Sequence, residues 1–258
     1  MRMTILGSGS SSGTPGIDFG WGRCDPKEPR NRRSRPSVMV ESGDTRLLVD
    51  TPPDLRQQLI AAGVKRLDGV LFTHSHADHL HGVDDLRPIN RAMKAPIRIY
   101  TDAETLAAIR ARFGYVLEPL QGTLFYKPML IPIQIVPGTP FRAGSIDIMP
   151  IDQDHGLGGR TLGFRFGPIA YSTDVLELSD KAFADLAGVE VWVVNVLSAD
   201  PHPTHAHVDR ALTWIKRVKP RLAVMTGLGP GLDYGSLKAR LPQGVEPAYD
   251  GMVVEAAG

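Results

Sequence analysis

Between Gly69 and His79 the chain passes abruptly from an apolar run, Val70-Leu71-Phe72-Thr73, to four metal-ligand side chains within six positions, His74-Ser75-His76-Ala77-Asp78-His79. The apolar run has the length and β-branched character of a buried strand, so the cluster stands at a strand's carboxyl end. In extended backbone His74 and His76 project the same way and can share an ion; on a helix they would diverge by about 200°. Asp78 and His79 are adjacent and leave any regular backbone in different directions, which suits service to a second ion. Two histidines do not complete a tetrahedral site, so the remaining ligands must come from distant loops. The fold has to be one in which several strand ends converge.

The best distant candidates are His155, expected just after a strand over Ile146-Ile151 where a glycine-rich loop begins, and Asp174, after the run Ile169-Thr173. A carboxylate has two oxygens with which to bridge two ions. Further strand patterns recur at Met3-Leu6, Arg46-Val49, Ile97-Thr101, Ile131-Val136, Thr161-Phe166, Val191-Val194 and Leu222-Thr226. Val38-Glu41 and Arg46-Val49 flank Ser42-Gly43-Asp44, which predicts an antiparallel hairpin. Helices are expected over Pro53-Ala62, Asp102-Phe113, Ser179-Ala187, His205-Val218 and Tyr234-Leu241, several opening on a capping residue. Nothing repeats in sequence. Strands interspersed with helices predict an α/β protein in which helices cover the outer faces of two packed mixed sheets. Asp50, His74, Asp174 and Asn195 each follow a strand and are expected to converge, bordered by the glycine-dense segments Gly7-Gly22 and Gly227-Gly235.

Composition narrows the setting. Hydrophobic residues make up 42% and charged residues 22% of 258, enough for a sizeable core and read as one domain over 1–258. With 29 Lys plus Arg against 28 Asp plus Glu, no whole-molecule field gathers polyanions, so extended nucleic acid is disfavoured as a partner. Cys24 is the only cysteine, which excludes an intrachain disulfide and a cysteine-rich zinc site. The first residues lack the apolar core of a secretory signal, and no run approaches the roughly 20 apolar residues of a membrane span. A cytoplasmic setting without membrane attachment is expected; self-association as a homodimer stays open.

The pattern His74-x-His76-x-Asp78-His79, followed by an isolated histidine and an aspartate after a strand, resembles the metallo-β-lactamase superfamily. Within it, the Gly7-Gly13 run, Asn31-Ser37, His202-Pro203-Thr204-His205 and Tyr249-Asp250-Gly251-Met252 resemble the PhnP-type phosphodiesterases of phosphonate degradation. The resemblance implies an αββα sandwich. It places one divalent ion, Zn or Mn, on His74, His76, His155 and Asp174, and a second on Asp78, His79 and Asp174. It also implies a histidine after the last core strand, where this chain reads Thr226-Gly227. The second ion is therefore expected to be weaker, and Gly227→His to strengthen it. A cysteine-based structural zinc carried by some members is not expected with Cys24 alone.

These features predict a metal-dependent hydrolase in which a metal-activated hydroxide attacks a small or cyclic phosphodiester, nucleotide-like in one version. Asp78 and His205 are the candidates for catalysis, His205 as proton donor to the leaving alkoxide, with His202 and His207 as rivals. The basic run Arg30-Asn31-Arg32-Arg33-Ser34-Arg35 is the densest in the chain and suits phosphate oxygens. Arg33, His202 and His205 are the candidate substrate contacts. Two alternatives stay open: an RNA-processing nuclease of the same superfamily, and a non-enzymatic metal or nucleotide binder with an impaired second site.

Overall fold

Fourteen strands pair into two sheets in the computed structural model, which describes residues 1–122 and 124–257. The first six are β1 (Arg2–Gly7), β2 (Ser37–Ser42), β3 (Thr45–Val49), β4 (Gly69–Leu71), β5 (Ile97–Thr101) and β6 (Leu130–Gln134), side by side in that order. The next seven form the second sheet: β7 (Phe141–Ala143), β8 (Ile146–Gly156), β9 (Gly159–Phe166), β10 (Ile169–Ser172), β11 (Val191–Asn195), β12 (Leu222–Thr226) and β13 (Val245–Pro247). β14 (Val253–Glu255) then returns to the first sheet beside β1. The expected hairpin is β2–β3, whose turn carries Gly43 at φ 54°.

Both sheets run from antiparallel to parallel. β14, β1, β2 and β3 are joined antiparallel and β3 to β6 parallel. β7 to β10 are joined antiparallel and β10 to β13 parallel. The two halves share one pairing pattern although their sequences do not repeat.

Alternation along each strand sorts side chains into layers. Val40, Leu47 and Val49 meet Phe164, Phe166, Tyr171 and Val193 between the sheets. The outer face of the first sheet is covered by α1 (Leu55–Ala61), α3 (Arg87–Met93) and α4 (Ala103–Phe113), with α2 (Ala77–Leu80) lying between them in sequence. The outer face of the second is covered by α5 (Asp180–Asp185), α6 (Val208–Val218) and α7 (Tyr234–Arg240). α6 turns Ala211, Trp214 and Ile215 inward, the spacing of a helix with one apolar stripe. The helices of the two halves thus enclose the paired sheets, the αββα arrangement expected.

No described helix is long and apolar enough to cross a membrane. β11 reads Val-Trp-Val-Val-Asn and is buried throughout. Its apolar residues each contribute about 1.5–3 kcal/mol by burial, whereas a buried amide costs free energy unless it is hydrogen-bonded, so Asn195 belongs at the strand's end. Just beyond β3, β10 and β12 the backbone turns left-handed, at Asp50 (φ 63°), Asp174 (φ 46°) and Gly227 (φ 68°). That turn lifts the following loops off the sheets at one end of the sandwich.

Candidate metal centre

His74 and His76 leave the loop after β4; His76 stands at the amino end of α2, which carries Asp78 and His79. One short segment can present all four because it changes from extended to helical at His76. His155 lies within β8, which continues through Asp152, Gln153 and Asp154 paired to β9. The loop expected from Asp152 is therefore strand: its polar side chains alternate along paired backbone, and the bend comes only at Gly156 (φ 75°).

Three imidazoles are held so that Nε2 is their free nitrogen. The Thr73 hydroxyl donates to Asp50 Oδ2 at 2.8 Å and so accepts from His74 Nδ1 at 3.0 Å. His79 Nδ1 donates to Asp50 Oδ2 at 2.7 Å, and His155 Nδ1 to the Thr204 carbonyl at 2.9 Å. The opposite nitrogens point at Asp174 Oδ2, at 3.4 Å for His79, 3.7 Å for His74 and 3.8 Å for His155. His205 Nε2 completes the convergence at 3.3 Å. Good N–H···O bonds are about 2.9 Å long, so these separations are too great for strong hydrogen bonds. They match the roughly 3.3–3.4 Å between ligand atoms arranged tetrahedrally at metal–ligand distances near 2.05 Å. His74 Nε2 and His79 Nε2 are buried and have no hydrogen-bond partner among the described residues.

Two groups of ligand atoms are close enough to hold an ion: His74, His76, His155 and Asp174, and Asp78, His79 and Asp174. Their nitrogen and carboxylate oxygen donors suit Zn or Mn, and the orphaned Nε2 atoms fit a bound cation. Electrostatics agree. Burial, with the neighbouring His79, His76 and His155, drives His74 well below the ordinary histidine range. Burial likewise lowers His155, against the pull of Asp174. Burial would raise Asp174, but His79 and the hydrogen bond from His205 hold it well below the usual carboxylate range. Asp78 is also lowered, its burial outweighed by His79. Neutral imidazoles and ionised carboxylates are the protonation states that bind metal. At His79 burial opposes charge, yet Asp174 and Asp50 raise it well above its ordinary range. The field that draws a proton there favours a cation in its place.

A family model described as the beta-lactamase superfamily domain matches residues 45–227. The chain belongs to that superfamily. A solved structure described as a new diphosphatase from the PhnP family is 30% identical, with a TM-score of 0.88, over 99% of this chain and 98% of that one. The curated proteins to which the chain is similar include an octanoyltransferase of Porphyromonas gingivalis, 31% identical over 98% of this chain. A ribonuclease Z of Bradyrhizobium sp. is 32% identical over 43% of it. The chain spans 51% of the length of the first of these two curated relatives and 36% of the second.

Of the candidate site residues read from sequence, His74, His76, Asp78, His79, His155, Asp174 and His205 are brought together, with His202 alongside. The His202 and His205 rings lie 5.3 Å apart, and the Thr204 hydroxyl contacts Nδ1 of both, at 3.1 Å and 2.8 Å. His207 stands at the amino end of α6. Arg33 is a correction. It is 2% exposed, and its guanidinium donates to Asn31 Oδ1 at 3.0 Å and the Leu232 carbonyl at 2.8 Å. It joins two loops inside the protein, where its guanidinium hydrogen bonds are made to Asn31 and Leu232. The expectation for Gly227→His is corrected too. The residue's φ of 68° strains most side chains, and a Cβ there would collide with Asn195 Nδ2. The Asn195 carboxamide occupies that space, with its Oδ1 buried and unpartnered among the described residues.

The sequence places Asp50 among the strand ends expected to converge but gives it no role in the site. Asp50 is fully buried and takes the Thr73 N–H at 2.8 Å, the Thr73 hydroxyl and His79. It positions two candidate ligands at once. The glycine-dense segments lie against each other: Leu228 N–H donates to the Ser8 carbonyl at 2.9 Å and Arg23 N–H to Pro230 at 2.8 Å.

Proposed function

We propose that the chain is a metal-dependent phosphodiesterase acting on a small or cyclic phosphodiester, with one or two divalent ions, Zn or Mn, at the His/Asp cluster. The observation that carries this reading is the approach of four imidazole Nε2 atoms to a single Asp174 oxygen. The likeness to the PhnP-family diphosphatase, at 30% identity over nearly the full length of both chains, supports phosphorus esters over other superfamily substrates.

When bound, divalent cations supply a water nucleophile at neutral pH and offset charge on the phosphoryl oxygens. The chain's own groups do the rest. Asp174 would serve both ion positions and Asp78 and His79 would hold the second with it, while Asp50, accepting from His79 Nδ1, leaves the His79 Nε2 turned toward that position. His205 faces Asp174 with its Nδ1 against Thr204 and its Nε2 toward the cluster, so a proton on Nε2 is placed for the departing alkoxide. His202 flanks His205 on the substrate side, and burial with the neighbouring His205 lowers it.

His205→Ala tests the proton-donor role. The variant should keep its metal and lose about 10²- to 10⁴-fold in turnover of an alkyl phosphodiester, and much less with a nitrophenolate leaving group. Equal losses on both esters would remove His205 from that role. The ribonuclease Z likeness favours a nuclease reading over part of the chain; processing of structured RNA in preference to small diesters would establish it in place of the one proposed.

A further inference from the structure

We infer that the cleft beside the His205 loop is a nucleoside-phosphate subsite in which Phe19 stacks the base, Arg23 binds phosphate and Asp200 takes the ribose hydroxyls. The inference rests on the phosphodiesterase reading for its placement in catalysis, and it names the substrate class of that site.

The cleft has a volume of about 390 Å³ and is lined by Ser10, Phe19, Arg23, Ser198 and Asp200 among others. That is within the usual range of small-ligand sites, roughly 300–1,000 Å³. One wall is continuous with the candidate centre. Leu197 N–H donates to the Ala206 carbonyl at 3.0 Å and Val208 N–H to the Ser198 carbonyl at 3.0 Å, so the cleft wall pairs with the segment carrying His205.

Three residues of different chemistry line this space with no side-chain hydrogen bond or ion pair among the described residues. Phe19 is 66% exposed, yet it is presented by a closed turn: Gly16 and Gly20 exchange hydrogen bonds at 2.9 Å, and Phe19 N–H donates to Asp18 Oδ1 at 3.0 Å. Arg23 is the basic side chain at hand for phosphate. Elsewhere in the basic loop Arg30 is paired with Glu28 and Arg35 with Asp54, while Arg32 lies over the Trp21 ring and Arg33 is buried. Arg23 also lines the cleft, its backbone pinned to Pro230. Asp200 uses only its carbonyl, which accepts from the Ser198 hydroxyl at 2.6 Å, leaving its carboxylate open.

A bare ring, a guanidinium and a carboxylate around one cleft match the three parts of a nucleotide. Aromatic faces stack bases, guanidinium binds phosphate in a fork, and carboxylates accept from ribose hydroxyls. A simple alkyl diester would leave the ring and the carboxylate without use.

The test is equilibrium binding of AMP, ribose 5-phosphate and adenosine to zinc-loaded protein, wild type, Phe19→Ala and Arg23→Gln. AMP should bind the wild type about ten-fold or more tightly than ribose 5-phosphate. Phe19→Ala should close that gap, and Arg23→Gln should weaken AMP about ten-fold while sparing adenosine. Equal binding of AMP and ribose 5-phosphate by the wild type, or a gap that survives Phe19→Ala, overturns the inference. Wild-type hydrolysis of bis(4-nitrophenyl) phosphate separates the two readings. Hydrolysis without the AMP preference rejects the subsite alone. The AMP pattern without hydrolysis supports the subsite and rejects the phosphodiesterase.

Discussion

Asp50, a buried carboxylate outside both groups of candidate ligands, holds two residues that set the geometry of the site, His79 and Thr73. Burial raises Asp50 against the pull of the adjoining His79, and its oxygens take the hydrogen bonds that orient His79 and, through Thr73, His74. Such partners of metal-bound histidine commonly contribute 10–100-fold to affinity. Asp50→Asn preserves volume but offers an N–H where His79 needs an acceptor. Zinc affinity should fall about 10–100-fold, read by calorimetry, with melting above room temperature retained. Affinity within two-fold of wild type would show that Asp50 supports the fold alone. Residue types carried most of the site in the sequence, because four ligand side chains in six positions after an apolar run have few other physical uses. Arg33 misled for a complementary reason: a guanidinium can satisfy buried carbonyls as well as phosphate, and sequence does not show which way it turns.

At the scale of elements, the ends of strands decide what the site can hold. Asn195 ends β11 and Gly227 directly follows β12, its parallel neighbour, and the Asn195 amide occupies the space into which a side chain at 227 would grow. Gly227→His alone should therefore leave the second ion's affinity unchanged or lower it, whereas Asn195→Ala with Gly227→His should raise it. A stronger second ion in the single variant, by calorimetric titration, would contradict this crowding. Asp233 is an example of an end that serves stability. It caps α7 by accepting from Ser236 N–H at 2.9 Å, and it also accepts from Asn31 Nδ2 at 2.6 Å. Its slight burial works against charge, but these hydrogen bonds depress it from 3.8 to about 2. A depressed carboxyl contributes fully above the unfolded value and loses that contribution as pH falls through the folded one. Asp233→Ala should thus cost about 1–2 kcal/mol near neutrality, the deficit shrinking between pH 4 and 2. A deficit independent of pH in denaturant titrations would show that the carboxylate charge is not involved. The β2–β3 hairpin and the helices α4, α5 and α7 were legible from alternation and helical pattern, the first two helices also from the capping residues Asp102 and Ser179 on which they were read to open. The edge strands β7, β13 and β14 were not, since three residues that lie in no apolar run carry no measurable period. Nor was α2, a single turn in which two of the four residues, Asp78 and His79, are candidate ligands.

Across the whole molecule, the two sheets repeat one pattern of pairing, and the structurally corresponding ends of β3 and β10 lead to Asp50 and Asp174, both left-handed. One carboxylate orients His79 from its Nδ1 side and the other faces it from its Nε2 side, so the candidate site forms where the halves meet. Strand and helix patterns indicated the layered fold, but this correspondence was hidden because pairing direction depends on backbone contacts and leaves no repeat in side chains. The central claim is that hydrolysis depends on ions at two unequal groups, four ligands in one and three in the other. Metal-stripped protein should be titrated with Zn or Mn by calorimetry, with bis(4-nitrophenyl) phosphate hydrolysis followed at each addition. No activity in the stripped protein, one tight ion, a second weaker ion and activity restored as they bind is the result expected. Undiminished hydrolysis without metal, or two ions of equal affinity, would contradict it.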